Sequence, residues 1–138
     1  MSSNHTILLV EDNPDDVFIF KRTVKAARIT YQMKVLSNGQ EAVEYLSPTG
    51  KFADREEHPL PFLIFLDLKM PFLDGFEVLS WIGSQAPLNG IPAVVLTSSA
   101  EERDRRKAAE LGAKGYFVKP PKPETLKEML QFVHEPNH

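Results

Sequence analysis

Short apolar segments alternate with amphipathic segments along the whole chain. The apolar segments, rich in β-branched and aliphatic residues, are Thr6–Val10, Tyr31–Leu36, Phe62–Leu66, Ile91–Leu96 and Gly115–Val118. Their length and the turn-forming residues around them are typical of strands. Strands that alternate with helices pair in parallel, and the helices cover both faces of the sheet. The sequence therefore predicts an α/β fold of the (βα)5 type, with a doubly wound, parallel, five-stranded sheet.

The segments that follow the strands carry helix signals. Pro14 suits the first turn of a helix, where its missing N–H is not needed, and Val17 and Phe20 follow at helical spacing. Ser98 or Ser99, followed by glutamates, is expected to cap the fourth helix. The helices after the first are predicted at about Gln40–Leu46, from Asp74 through Ile82, from the Ser99 region to about Leu111, and from Pro123 to about Val133.

One segment shows neither the pattern of a strand nor the apolar spacing of a helix. Ser47–Pro61 contains three prolines, one glycine and the charged run Asp54–Glu57, so we predict an unusually long surface loop there. A chain of 138 residues has the usual size of one domain. We therefore expect a single domain over residues 1–138, with its core at about 6–133 and the loop at 47–61.

Composition excludes several classes of function. The chain has no cysteine, which excludes disulfides, thiolate nucleophiles and cysteine zinc sites. Its net charge of -3 argues against nucleic acid as the main partner. The N-terminus lacks the features of a signal peptide, and no apolar run approaches the ~20 residues that span a bilayer. We expect no membrane association and a cytoplasmic location.

Polar side chains follow four of the five predicted strands. Parallel strands end at one edge of the sheet, and doubly wound sheets bind ligands at that edge. The residues expected to meet there are Glu11 and Asp12 after the first strand, Asp67 after the third, Thr97 and Ser98 after the fourth, and Lys119 after the fifth.

This set of residue types suits phosphoryl transfer to a carboxylate. Carboxylate oxygens are the ligands that Mg²⁺ prefers, and a divalent cation relieves the repulsion between crowded acids. An aspartate can attack phosphorus and form an aspartyl phosphate. The reaction then needs mainly positioning and charge neutralisation, which a lysine ammonium and a threonine hydroxyl can help to provide.

These residues resemble the receiver domain of two-component response regulators. The resemblance covers about Thr6 to Val133 and rests on the motifs ILLVEDNPDD, LIFLDLKMPFLDGFEVL, VVLTSS and GAKGYFVKP. It implies a flavodoxin-like sheet with strand order 2-1-3-4-5. The long loop before the third strand is similar to that of the small single-domain response regulators paired with bacterial phytochromes.

The resemblance implies roles for the acidic residues. Asp67 would be the phosphoacceptor. Asp12, Asp67 and the backbone carbonyl of Lys69 would bind Mg²⁺ (or Mn²⁺), and Glu11 would assist through water or from the second layer of ligands. The cation is the cofactor implied by this set, and no organic cofactor is expected.

The resemblance also implies a switch. Thr97 would contact the phosphoryl group and move toward it, while Lys119 would pair with the phosphate or with Asp67. Tyr116 would then turn inward as Thr97 moves. The peptide bond between Lys119 and Pro120 would be cis.

On this basis we expect a response regulator that receives its phosphoryl group from a sensor histidine kinase, in a pathway linked to a phytochrome. It would act as a switch and not as an enzyme, apart from catalysing its own phosphotransfer and dephosphorylation. Its output would be a changed protein-binding surface. A homodimer through the fourth helix, fifth strand and fifth helix is also expected, on the basis of Tyr116, Phe117 and Phe132.

Three other functions fit the sequence less well. A receiver-like docking module that is not phosphorylated would not need Asp67, Thr97 and Lys119 together. A phosphohydrolase of the haloacid-dehalogenase type would need a second aspartate two residues after Asp67, where this chain has Lys69. A nucleotide-binding module would need a glycine-rich phosphate loop after the first strand, and none is present.

Overall fold

The computed structural model describes residues 6–85 and 88–134, with side chains up to residue 130 in the second range. The tail predicted at Glu135–His138 and the side chain of Phe132 lie outside the described part. The strands are β1 (Thr6–Val10), β2 (Gln32–Leu36), β3 (Leu63–Leu66), β4 (Ala93–Thr97) and β5 (Gly115–Val118). The helices are α1 (Pro14–Ala26), α2 (Gly39–Leu46), α3 (Gly75–Gly83), α4 (Glu102–Glu110) and α5 (Pro123–His134).

The five strands form one parallel sheet in the order β2-β1-β3-β4-β5, which confirms the predicted fold class and topology. Val10 is level with both Leu36 and Leu66, so the first three strands end together. Thr97 is level with Val118 at the end of the other two. All the strand ends therefore face one edge of the sheet.

Side chains alternate between the two faces of the sheet, and each face supports its own core. Leu8 and Leu66 belong to the core under α2 and α3, while Leu9 and Phe65 belong to the core under α1 and α5. All four side chains are fully buried or within 1% of it. Burial on both faces explains why β1, β3 and β4 are apolar throughout instead of alternating with polar residues.

Helix starts next to the sheet edge are fixed by side-chain caps. The Asn13 side chain accepts hydrogen bonds from the backbone N–H groups of Asp15 and Asp16 at the start of α1. Asp74 and Glu77 form a reciprocal capping box at the start of α3. Such caps satisfy N–H groups that lack partners within the helix.

The prediction that Ser98 or Ser99 caps α4 is wrong. The residue before the helix is Glu101, and it makes no side-chain cap bond. Ser99 instead donates a hydrogen bond of 2.7 Å to Asp104 in the first turn of α4. Because Ser99 precedes the helix by three residues, its hydroxyl ties the loop to the helix and does not close the helix end.

The loop at residues 47–61 contains no helix or strand, but it is firmly anchored. The Arg55 guanidinium donates hydrogen bonds of 2.8 to 3.2 Å to four backbone carbonyls, those of Tyr45, Ser47, Phe52 and His58. The Tyr45 hydroxyl donates to the Pro59 carbonyl at 2.7 Å, and the ring of Phe52 packs against the core. The loop is thus a packed extension of α2, held mainly by one arginine.

None of the described helices has the length and apolar composition needed to cross a membrane.

Replacing Arg55 with lysine keeps the charge but removes the planar fork that reaches several carbonyls at once. We expect the free energy of unfolding, measured by urea denaturation, to fall by about 1–3 kcal/mol, because carbonyls would lose their donors. The matched control is Arg106→Lys on the exposed surface of α4, which should leave stability unchanged. Equal stability of the two variants would show that Arg55 does not anchor the loop.

Candidate functional site

The hydrogen-bond pattern of the sheet continues one residue beyond three of the strands. In each case a backbone N–H of the next residue donates to a carbonyl of the neighbouring strand. The bonds run from Glu11 to Leu36 (2.9 Å), from Asp67 to Val10 (3.1 Å) and from Lys119 to Thr97 (2.8 Å). The backbones that carry two of the predicted acids and the predicted lysine are therefore fixed by the sheet itself.

Three of the predicted acids come together at this edge. Glu11, Asp12 and Asp67 each offer a carboxylate oxygen within 4.8 Å of the other two. Glu11 and Asp67 are buried, whereas Asp12 is exposed, so the group opens to solvent on the Asp12 side. An all-oxygen set of this kind fits a hard divalent cation such as Mg²⁺ or Mn²⁺.

The Lys119 ammonium lies among these acids. Its Nζ is 2.7 Å from Glu11 Oε1, 2.8 Å from Asp16 Oδ2 and 3.3 Å from Asp67 Oδ2. An ammonium has three N–H donors, so one carboxylate is available for each. The Lys119 side chain is only 13% exposed, and a charge so well buried depends on such partners.

Asp16 was not among the predicted site residues. It lies in the first turn of α1, four residues after Asp12, and its carboxylate faces the sheet edge, where Lys119 meets it. Helical spacing does not relate Asp16 to Asp12, because Asp12 precedes the Asn13 cap of α1. The sequence does not show that a lysine 103 positions away would reach the same place.

The charges at this edge perturb two side chains. Burial raises the pKa of Glu11, and the nearby Asp67 charge adds to this effect, although hydrogen bonding to Lys119 opposes it. Burial alone would lower the pKa of Lys119, but hydrogen bonds to Asp16 and Glu11 and the charge of Asp67 raise it above its ordinary value. Lys119 is therefore a cation at physiological pH, and its hydrogen bond to Glu11 opposes the effect of burial on the pKa of that carboxyl.

The surroundings of Asp67 are tightly built. Its Oδ1 accepts a hydrogen bond of 2.8 Å from the Leu68 N–H. A Cβ at Gly75 would lie 2.3 Å from the Asp67 carbonyl oxygen, so only glycine allows α3 to begin this close to the strand. On the solvent side, Asp12 and Lys69 line a cavity of about 450 Å³, which gives a small group access to the acids.

A chain of contacts connects Thr97 with Tyr116. Thr97 is buried at the end of β4, and its hydroxyl accepts a hydrogen bond of 3.4 Å from the Ser99 N–H. The Tyr116 hydroxyl donates to the Ser99 carbonyl at 3.0 Å. The Arg105 guanidinium covers the Tyr116 ring at 4.5 Å from its centre. Ser99, to which sequence reasoning gave only a capping role, is the residue between the two predicted switch residues.

The peptide bond between Lys119 and Pro120 is cis, as the resemblance implied.

The chain is similar to known proteins over most of its length. A model of the response regulator receiver domain matches residues 7–131. Response regulator Rcp1 of Synechocystis sp. is 37% identical over 127 residues, which cover 92% of this chain and 84% of Rcp1. The structure of its Mn²⁺-bound form has a TM-score of 0.75 and 36% identity, covering 94% of this chain and 91% of that one.

Two further relatives extend the comparison. The probable methanogenesis regulatory protein FilR2 of Methanothrix harundinacea is 35% identical over 129 residues, covering 94% of this chain and 81% of FilR2. The structure of the phosphorylated cyanobacterial phytochrome response regulator RcpA has a TM-score of 0.78 and 32% identity, and it covers 96% of this chain and 93% of that one.

Replacing Lys119 with methionine should leave the acids without their shared cation. We expect the free energy of unfolding at neutral pH to fall by about 2–4 kcal/mol, as when one partner of a buried ion pair is removed. The pKa of Glu11 would rise further, so the folded state would bind protons more readily than the unfolded state. The deficit relative to the wild type should therefore shrink as the pH falls toward about 5.

Urea denaturation at both pH values measures this effect. Lys122→Met, which removes an exposed lysine three residues further on, is the control and should change stability little at either pH. A Lys119→Met deficit that stays constant over this pH range would contradict the electrostatic explanation.

Proposed function

The chain belongs to the response regulator receiver family, and from this premise we propose that Asp67 accepts a phosphoryl group from a phosphohistidine of a sensor histidine kinase. The observation that carries the proposal is the position of the Lys119 ammonium, 3.3 Å from Asp67 Oδ2 at the edge where Glu11 and Asp12 also lie. An ammonium beside Asp67 can neutralise the negative charge that a phosphoryl group would add there.

In the proposed reaction an Asp67 carboxylate oxygen attacks phosphorus. A bond from this oxygen to phosphorus forms, and the bond from phosphorus to the histidine nitrogen breaks, with its electron pair staying on the nitrogen. The Lys119 ammonium is already beside the attacking carboxylate, so it can neutralise a phosphoryl oxygen without a large rearrangement. The Leu68 N–H holds Asp67 Oδ1 and so fixes the plane of the carboxylate.

The donor set fits Mg²⁺ or Mn²⁺, and the Mn²⁺-bound form of the relative Rcp1 supports this choice. We propose that Asp12, Asp67 and the Lys69 carbonyl would hold the cation, with Glu11 acting through water. When bound, the cation supplies positive charge to the phosphoryl oxygens.

The response to phosphorylation is proposed to pass from Thr97 to Tyr116 through Ser99. If Thr97 moved toward the phosphoryl group, to which its hydroxyl would donate, its present contact of 3.4 Å with the Ser99 N–H would be broken by the movement. Because Ser99 also bonds to Tyr116 and to Asp104 of α4, its movement would disturb both. Phosphorylation would thus shift the balance between two arrangements of one surface.

We further propose that this surface, made by α4, β5 and α5, is the partner-binding face and the contact of a homodimer. β5 is an edge strand of the sheet, and Val118 on it is 37% exposed. An upstream kinase linked to a phytochrome is supported by the similarity to RcpA. A single domain over residues 1–138, a cytoplasmic location and a partner other than nucleic acid are parts of the same proposal.

Replacing Asp67 with asparagine should abolish phosphoryl transfer, because the amide cannot form the acyl phosphate. The measurement is intact-protein mass spectrometry after incubation with a phosphorylated histidine kinase and Mg²⁺. Asp15→Asn, which removes an exposed carboxylate in the first turn of α1, should be labelled like the wild type. Labelling of Asp67→Asn at the wild-type level, or no labelling of the wild type by any kinase or by acetyl phosphate, would contradict the proposal; the latter would favour an unphosphorylated docking module.

Sedimentation velocity at micromolar concentration tests the homodimer. We expect association to increase when beryllium fluoride, a mimic of the phosphoryl group, is added with Mg²⁺. Val118→Lys should prevent association by placing a charge on the face, whereas Phe18→Lys, at an exposed position of α1 outside that face, should not. A monomer under both conditions would exclude this dimer.

A further inference from the structure

We propose that Asp16 is a positioning residue, which gives the Lys119 ammonium a partner outside the group of acids that would hold the divalent cation. The inference rests on the proposed function of Asp67 and goes beyond it, because no role was assigned to Asp16, although the motif ILLVEDNPDD ends on this residue. Its basis is the contact of 2.8 Å between Lys119 Nζ and Asp16 Oδ2, which is shorter than the 3.3 Å contact with Asp67.

The three partners of Lys119 are not equivalent. Glu11 and Asp67 belong to the group whose oxygens lie within 4.8 Å of one another, whereas Asp16 does not. An ammonium bound only to Glu11 and Asp67 would compete directly with a cation for the same oxygens. A third carboxylate outside that group lets the ammonium keep a partner when the oxygens of Glu11 and Asp67 bind the cation.

The placement of Asp16 suits this role. Its side chain is 32% exposed, so its carboxylate keeps contact with solvent while it bonds to Lys119. It sits in the first turn of α1, where the Asn13 cap fixes the backbone and the helix N-terminus favours a negative charge. The carboxylate is therefore held by a helix whose first turn is fixed by a side-chain cap.

Asp15 offers a matched comparison. It carries the same charge in the same helix turn and is exposed. Removing either residue takes one negative charge from the edge of the sheet and weakens cation attraction by ordinary long-range electrostatics. Only the removal of Asp16 also leaves Lys119 with no partner except Glu11 and Asp67.

The test is the dissociation constant for Mg²⁺ of the unphosphorylated full chain, measured by isothermal titration calorimetry for Asp16→Ala and Asp15→Ala. We expect Asp16→Ala to weaken Mg²⁺ binding roughly tenfold more than Asp15→Ala, the effect of one charged hydrogen bond. In a Lys119→Met background the two substitutions should have equal effects, because the competing ammonium is gone. Thermal unfolding establishes that each variant is folded.

The possible results separate the hypotheses. Equal weakening by Asp16→Ala and Asp15→Ala in the presence of Lys119 would overturn the role of Asp16. So would an excess effect of Asp16→Ala that persists in the Lys119→Met background, because Asp16 would then act on the cation and not through the lysine. A wild type that binds no Mg²⁺ would instead contradict the proposed function itself.

Discussion

The balance between crowded carboxylates and one ammonium is the interaction on which the site depends. Glu11 and Asp67 are buried next to each other, and burial together with the neighbouring charge of Asp67 raises the pKa of Glu11. Lys119 offsets this penalty by bonding to both and to Asp16. Its position requires β5 to end beside β4 and α1 to start beside β1, so the charge balance is a product of the whole topology.

The site combines residues whose backbone is fixed by the sheet with a hydrogen-bonded connection, through Ser99, that can rearrange. Glu11, Asp67 and Lys119 are fixed by backbone bonds that continue the sheet, so their Cα positions cannot shift without breaking strand pairing. Thr97 and Tyr116 are instead joined by single hydrogen bonds through Ser99, in a loop outside the regular elements. Bonds of this kind contribute about 1 kcal/mol each and are easily exchanged. A change of charge at Asp67 would therefore be absorbed by the Ser99 loop and not by the sheet.

Much of this arrangement could be predicted from the sequence, because strand ends and their polar neighbours are local features. The apolar segments gave the strand positions within one or two residues, and parallel pairing then brought Glu11, Asp67 and Lys119 to one edge. The strand order rested on the family resemblance. Contacts between distant segments, such as Asp16 with Lys119, have no local signal. The error at the start of α4 has a different origin: Ser99 and Asp104 are only five residues apart, and the hydrogen bond between them competes with capping.

The sharing of one ammonium among three acids suits a reversible switch better than a single strong pair would. An isolated, well-aligned ion pair in a buried site is hard to break, since separating it leaves an uncompensated charge. When Lys119 loses one of these contacts, it keeps the other two. The ammonium can therefore move by breaking one hydrogen bond at a time. Asp67 has the longest of the three contacts, at 3.3 Å against 2.7 and 2.8 Å. The carboxylate that we propose as the phosphoacceptor is thus the one with the longest contact to the lysine.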